Sequence, residues 1–139
     1  MKSSMAMLVM SPERRRSLEP NLELLNVQVL LAGSCQEARV LLQSNPPVGV
    51  VITDVSLNDG NWCDVFRFLV DSGIHASVVV SSRLADERLW SEVLWRGAYD
   101  VLVEPYEADE VRRIVEGALR AAGSSRPNGK QATASASMN

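Results

Sequence analysis

Five short apolar runs recur along the chain: Met5 to Met10, Val27 to Ala32, Val48 to Asp54, Ala76 to Ser81 and Tyr99 to Val103. Each is followed by a stretch whose apolar residues fall at helical spacing. Runs that are apolar at nearly every position want cover on both faces, which is what a central strand of a parallel sheet requires. Parallel neighbours need a crossover between them, and here a helix is available at every step. The alternation therefore predicts an α/β domain with a five-stranded, doubly wound parallel sheet and helices on both faces.

Local signals punctuate that plan. Ser11 and Pro12 open the first helix, as a cap and a first-turn proline, and Pro20 predicts that this helix is kinked or split. Gly33-Ser34 opens a helix carrying Ala38, Leu41 and Leu42, and Asn45-Pro46-Pro47 closes it. Val65, Phe66, Leu69 and Val70 make a third helix that stops at Gly73. Asp86 to Arg96 makes a fourth, closed by Gly97, and Val111, Ile114, Val115, Ala118 and Leu119 mark the last. Residues 1–122 form one domain in this reading. Residues 123–139 lack apolar periodicity and read as a disordered tail with no second folded domain in it.

A net charge of -3 over 139 residues gives no electrostatic case for nucleic acid. The Arg14-Arg15-Arg16 run reads as a solvated helix face beside Glu13 and Glu19. Cys35 and Cys63 are isolated, without metal-ligand spacing, and point to reduced thiols in a cytoplasmic protein; the sole histidine, His75, is placed at the surface or a loop end. No segment approaches the ~20 apolar residues of a membrane helix.

Asp54 ends the third apolar run and precedes a polar turn, Leu57-Asn58-Asp59-Gly60-Asn61. That puts a carboxylate at the carboxyl edge of the sheet, where open α/β folds bind ligands. A carboxylate there also serves to cap the backbone of the turn that follows, so both roles stand. In the fourth helix, Trp90, Val93, Leu94 and Gly97 share one face, which assigns Trp90 to the core. Trp95 lies opposite with Arg88, Ser91 and Glu92, and these mark an interface candidate, Trp95 with Arg88 and Glu92. Trp62 either covers the Asp54 pocket or packs beneath the loop.

With Asp54 ending the third strand, Ser82 the fourth, and Gly97-Ala98-Tyr99-Asp100 leading to Glu104-Pro105-Tyr106, the chain resembles the receiver domain of bacterial two-component response regulators over roughly residues 5–121. The resemblance implies a flavodoxin-like (βα)5 fold, a phosphoacceptor at Asp54, a switch hydroxyl at Ser82 and a cis peptide before Pro105. It also exposes departures. The family's acidic, metal-holding pair falls on Met10-Ser11 or Ser11-Pro12, its phosphoryl-contacting lysine on Glu104, and its aromatic switch on Val101. Two unit charges at ~4 Å in an effective dielectric of ~20 interact by about 4 kcal/mol, so exchanging attraction for repulsion swings the site by roughly twice that. Ser82 could equally cap the next helix. Arg83 either folds over the pocket to replace the missing cation or points into water.

These features imply a stand-alone receiver-like module of degenerate, pseudo-receiver type within phosphorelay signal transduction. It would act by protein–protein contact with little or no conventional phosphorylation, no catalytic turnover, and no cofactor, Mg²⁺ included. Its partner would be a sensor kinase or a downstream signalling protein, with a homodimer also open. Asp59, Arg83, Glu104 and Pro105 are the expected pocket around Asp54. One alternative keeps Asp54 as a working phosphoacceptor of a single-domain response regulator; another is a small-ligand-binding flavodoxin-like domain.

Overall fold

A computed structural model of the chain describes residues 4–44, 48–84 and 86–123. Strands β1 (Ser4–Val9), β2 (Val27–Ala32), β3 (Val50–Asp54), β6 (Ser77–Ser82) and β7 (Asp100–Val103) form one parallel sheet in the order β2-β1-β3-β6-β7. Between them run α1 (Pro12–Glu23), α2 (Cys35–Ser44), α3 (Trp62–Ser72) and α4 (Glu87–Trp95), and α5 (Ala108–Gly123) follows the last strand. A two-residue antiparallel pair, β4 (Ser56–Leu57) with β5 (Gly60–Asn61), occupies the polar turn after Asp54. Counted by the five long strands alone, the order is 2-1-3-4-5, the doubly wound flavodoxin-like arrangement.

The pleat divides the core into two layers. Met7, Val9, Val51, Val78, Val80 and Val101 face α2, α3 and α4, whereas Ala6, Leu8, Val50, Ile52, Val79 and Leu102 face α1 and α5. Because side chains alternate along a strand, Asp54 carries the parity of Val50 and Ile52, and Ser81 that of Val79. Glu104 continues the parity of Leu102. All three belong to the α1 side at the carboxyl edge, and Asp54 and Ser81 are register partners.

Several expectations need correction. Pro20 does not split the first helix: α1 is a single twelve-residue element with Pro20 inside it. Pro20 is exposed while Leu18 and Leu22 are buried, so the missing donor falls on the outer side of the helix and the core contacts of the inner side carry it through. Trp90 is not core: it is 51% exposed, and Val93 is the one buried residue of α4. The packed stripe is Leu89 with Val93, one residue out of phase with the predicted face. Of the two places open to Trp62, the structure takes the one beneath the loop, in the cluster against which Val55 and Leu57 pack. Asn61 caps α3, Trp62 opens it, and the indole is buried on the α2 and α3 side, 6.1 Å from the Phe66 ring. Gly123 is the last residue of α5; residues 124–139 and Asn45-Pro46-Pro47 lie outside the described residues.

Candidate functional site

Ser11 sits at the N-cap of α1 and its hydroxyl accepts from the Arg14 amide at 3.4 Å; Pro12 is pre-organised for the first turn. Arg14 is consequently the third residue of the helix and leans over the carboxyl edge of the sheet. A cation in a first helical turn opposes the macrodipole and needs a nearby anion to hold it. Two are supplied: Arg14 Nε donates to Asp54 Oδ1 at 2.5 Å, and Arg14 Nη1 lies 3.4 Å from Glu104 Oε2. The third nitrogen, Nη2, donates to Ser81 Oγ at 3.2 Å, and that hydroxyl is 2.6 Å from the Tyr106 phenol. One guanidinium thus joins β3, β6 and the loop entering α5.

The arrangement is largely closed to water, with the Arg14 and Asp54 side chains 13% and 10% exposed. Burial pushes the Asp54 carboxyl above its ordinary range; the hydrogen bond and charge of Arg14 pull it back without cancelling the effect, and Glu104 adds to the rise. For Arg14, burial works against the charged form, but the bond and attraction to Asp54 prevail and hold its pKa above the ordinary value. Burial likewise raises Tyr106, against the opposing bond from Ser81.

The Arg14 run is therefore not simply a solvated face; its first residue lines the pocket. Asp59, placed near Asp54 in the sequence reading, is held elsewhere: its carboxylate accepts from the amides of Cys35 at 2.8 Å and Gln36 at 2.9 Å, at the start of α2. Those backbone bonds lower its pKa. The same carboxylate adds to desolvation in lifting the buried Cys35 thiol to about 11. Arg83, 71% exposed, meets Glu104 at 3.9 Å and lines the outer cleft with Glu104, Pro105 and Tyr106, so it stands at the pocket's rim and its pull on Asp54 is weaker than that of Arg14. Ser82 lies on the opposite pleat face from Asp54, and its hydroxyl is 3.1 Å from both the N–H and the carbonyl of Leu84, a turn-capping arrangement. The Glu104–Pro105 peptide is cis.

A divalent metal does not fit the donor set. At the positions where the resemblance places an acidic pair, Met10 is buried among Leu18 and Leu22, Ser11 caps α1, and the two carboxylates at this edge, Asp54 and Glu104, are already paired with Arg14. Among the described residues no group of three or more His, Cys, Asp or Glu could hold a metal ion, and no helix is long and apolar enough to cross a membrane.

No family model matches the chain. A solved structure of the Francisella response regulator 1452 receiver domain superposes with a TM-score of 0.73 at 19% identity, covering 86% of this chain and 99% of that one. The fold is that of a response-regulator receiver domain. At the sequence level, the transcriptional regulatory protein DpiA of Escherichia coli is 31% identical over 78 residues, 56% of this chain and 34% of DpiA. The response regulator protein PilR of Pseudomonas aeruginosa is 28% identical over 109 residues, 78% of this chain and 24% of PilR. The chain thus spans about a third of the length of one relative and a quarter of the other. In the receiver fold of this chain, Arg14, Ser81 and Tyr106 build the Asp54 pocket, and the sequence reading gave none of the three a role there. The opposed helix dipole at Arg14, and the shared pleat parity of Asp54, Ser81 and Glu104, were the signals that could have found it.

Proposed function

We propose that the chain is a receiver-type module of two-component signalling in which a resident cation, Arg14, permanently neutralises Asp54, so that the domain signals through protein contacts and not through conventional phosphorylation. The observation that carries this is the 2.5 Å hydrogen bond from Arg14 Nε to Asp54 Oδ1. A phosphoryl group would bring a charge of about -1.5 to -2 to a pocket that already holds Glu104, with no acidic pair to bind Mg²⁺ and no lysine at position 104. Attack through Oδ1 would break a part-buried, charge-assisted bond, and attack through Oδ2 would draw on a carboxylate whose charge Arg14 already holds. In this reading the domain has no turnover and needs no cofactor. A sensor kinase or a downstream signalling protein would be its partner, recognised by surface, and the domain would act in the bacterial cytoplasm.

Incubation of the full chain with acetyl phosphate and Mg²⁺, followed by intact mass measurement, tests the reading. The expected result is no phosphoryl adduct on the wild-type protein. An adduct that is lost in Asp54→Asn would overturn it and restore Asp54 as a working acceptor.

A further inference from the structure

The most exposed tryptophan of the chain does not belong to the predicted Arg88 and Glu92 face alone. Trp95 is 86% exposed and lines a cleft of about 360 Å³ between α3 and α4, together with Cys63, Phe66, Val70, Arg67 and Arg96. Arg88 does not line this cleft, and Glu92 enters through its pair with Arg96 at 3.2 Å. The backbone of Gly97, at φ 106°, passes so close to Phe66 that a Cβ there would meet the ring at 3.4 Å. The end of α4 thus lies in ordinary contact with α3, and Trp95 lines the same cleft as Phe66 and Val70 while staying 86% exposed.

Nothing in the fold requires this indole, because α4 is anchored by Val93 and Leu89 on its other side. Val70, 61% exposed, adds a second uncovered apolar group to the same cleft. The rim is cationic on a chain whose net charge is -3. Arg96 is partly satisfied by Glu92, whereas Arg67 makes no ion pair among the described residues. An apolar floor with an exposed aromatic wall and a cationic rim has the anatomy of a small protein-binding pocket, in which charge sets the register and the aromatic group supplies the energy.

We infer that the α3–α4 cleft captures an acidic segment of a partner protein, inserting one large apolar side chain against Trp95, Phe66 and Val70 while a carboxylate pairs with Arg67. This rests on the reading that protein contacts carry the function, and it names the surface and the chemistry of the segment. The choice of an acidic segment rests on the local charge of Arg67 beside the apolar floor, and a second copy of the chain is an outcome the test separates.

The test uses the full chain and two short fluorescein-labelled peptides, one with a tryptophan flanked by glutamates and one with lysines in place of the glutamates. The glutamate peptide is expected to bind, with amide shift changes confined to α3 and α4, and the lysine peptide to bind at least tenfold more weakly. Trp95→Ala and Arg67→Glu should each weaken glutamate-peptide binding by about tenfold or more at unchanged melting temperature. The inference is overturned if neither peptide binds, if the lysine peptide binds as well, or if the shifts fall outside α3 and α4. It is also overturned if sedimentation shows a dimer that Trp95→Ala dissolves, which would give the cleft to a second copy. No phosphoryl mimic takes part, so failure here leaves the account of Arg14 and Asp54 standing, and phosphorylation of Asp54 would leave this result unchanged.

Discussion

Arg14 and Asp54, forty residues apart in sequence, share a 2.5 Å hydrogen bond at the carboxyl edge of the sheet, and the same guanidinium lies 3.4 Å from Glu104. Asp54 therefore depends on one mostly buried cation, which Glu104 shares while also meeting the exposed Arg83. Removing one partner of such a pair costs more than the pair contributes, because the survivor is left charged and poorly solvated. Arg14→Ala should destabilise the domain by roughly 2–4 kcal/mol in urea melts. Combining it with Asp54→Asn should recover a substantial part of that loss, and strict additivity of the two changes would contradict the pairing. In Arg14→Ala the Asp54 carboxyl should titrate still higher than in the wild type, as carboxyl carbon chemical shifts would show, since a group that holds its pKa down is gone.

The relay from Arg14 through Ser81 to Tyr106 makes a second prediction. Tyr106→Phe removes the phenol that lies 2.6 Å from Ser81 Oγ, and should cost about 0.5–1.5 kcal/mol of stability. Because Arg14 and Tyr106 share Ser81, the loss should be smaller in an Arg14→Ala background than in the wild type. Equal losses in both backgrounds, measured by melts, would show that the relay is not coupled.

The core of the fourth helix supplies a third. Val93 is fully buried, whereas Trp90 stands half in solvent with its indole N–H 3.1 Å from Asp100 Oδ1. Val93→Ala should therefore destabilise the fold by about 1–3 kcal/mol, and Trp90→Ala by less, although it deletes far more atoms. The reverse order in thermal melts would restore Trp90 to the core.

The layer plan of the fold was legible because it rests on periodicity. Unbroken apolar strands, helical spacing and terminal signals at Ser11-Pro12, Gly73 and Gly97 are local, and the structure uses them nearly as read. What the sequence hid lies in contacts that cross the chain. Arg14 looks like one of three solvated arginines until the pleat parity of Asp54, Ser81 and Glu104 is joined to the direction in which α1 leaves β1. Asp59 looks like a neighbour of Asp54 because it is close in sequence, yet the β4–β5 turn carries it to the amides that begin α2. Trp90 was misplaced by a single step of helical phase: a helix that buries only Val93 has too narrow an apolar face for spacing alone to fix its rotation.

Asp59 gives a prediction in pH. Its pKa is lowered in the folded state by the amides of Cys35 and Gln36, so the unfolded chain binds a proton more readily than the folded one. The stability it contributes is fully present above the ordinary carboxylate pKa of 3.8 and is lost as pH falls through the lowered folded value. The gap in stability between wild type and Asp59→Ala should accordingly be constant near neutral pH and narrow only in acid. A gap that opens on acidification would contradict the assignment.

The most direct test of the resident-cation account is a titration of the wild-type protein with beryllofluoride in millimolar Mg²⁺, following the Arg14 Nε–H and the backbone amides by NMR. The account predicts that the Arg14 Nε–H signal keeps its hydrogen-bonded shift and that no amide around Asp54 moves. A saturable, Mg²⁺-dependent change centred on Asp54, with release of the Arg14 side chain, would contradict it.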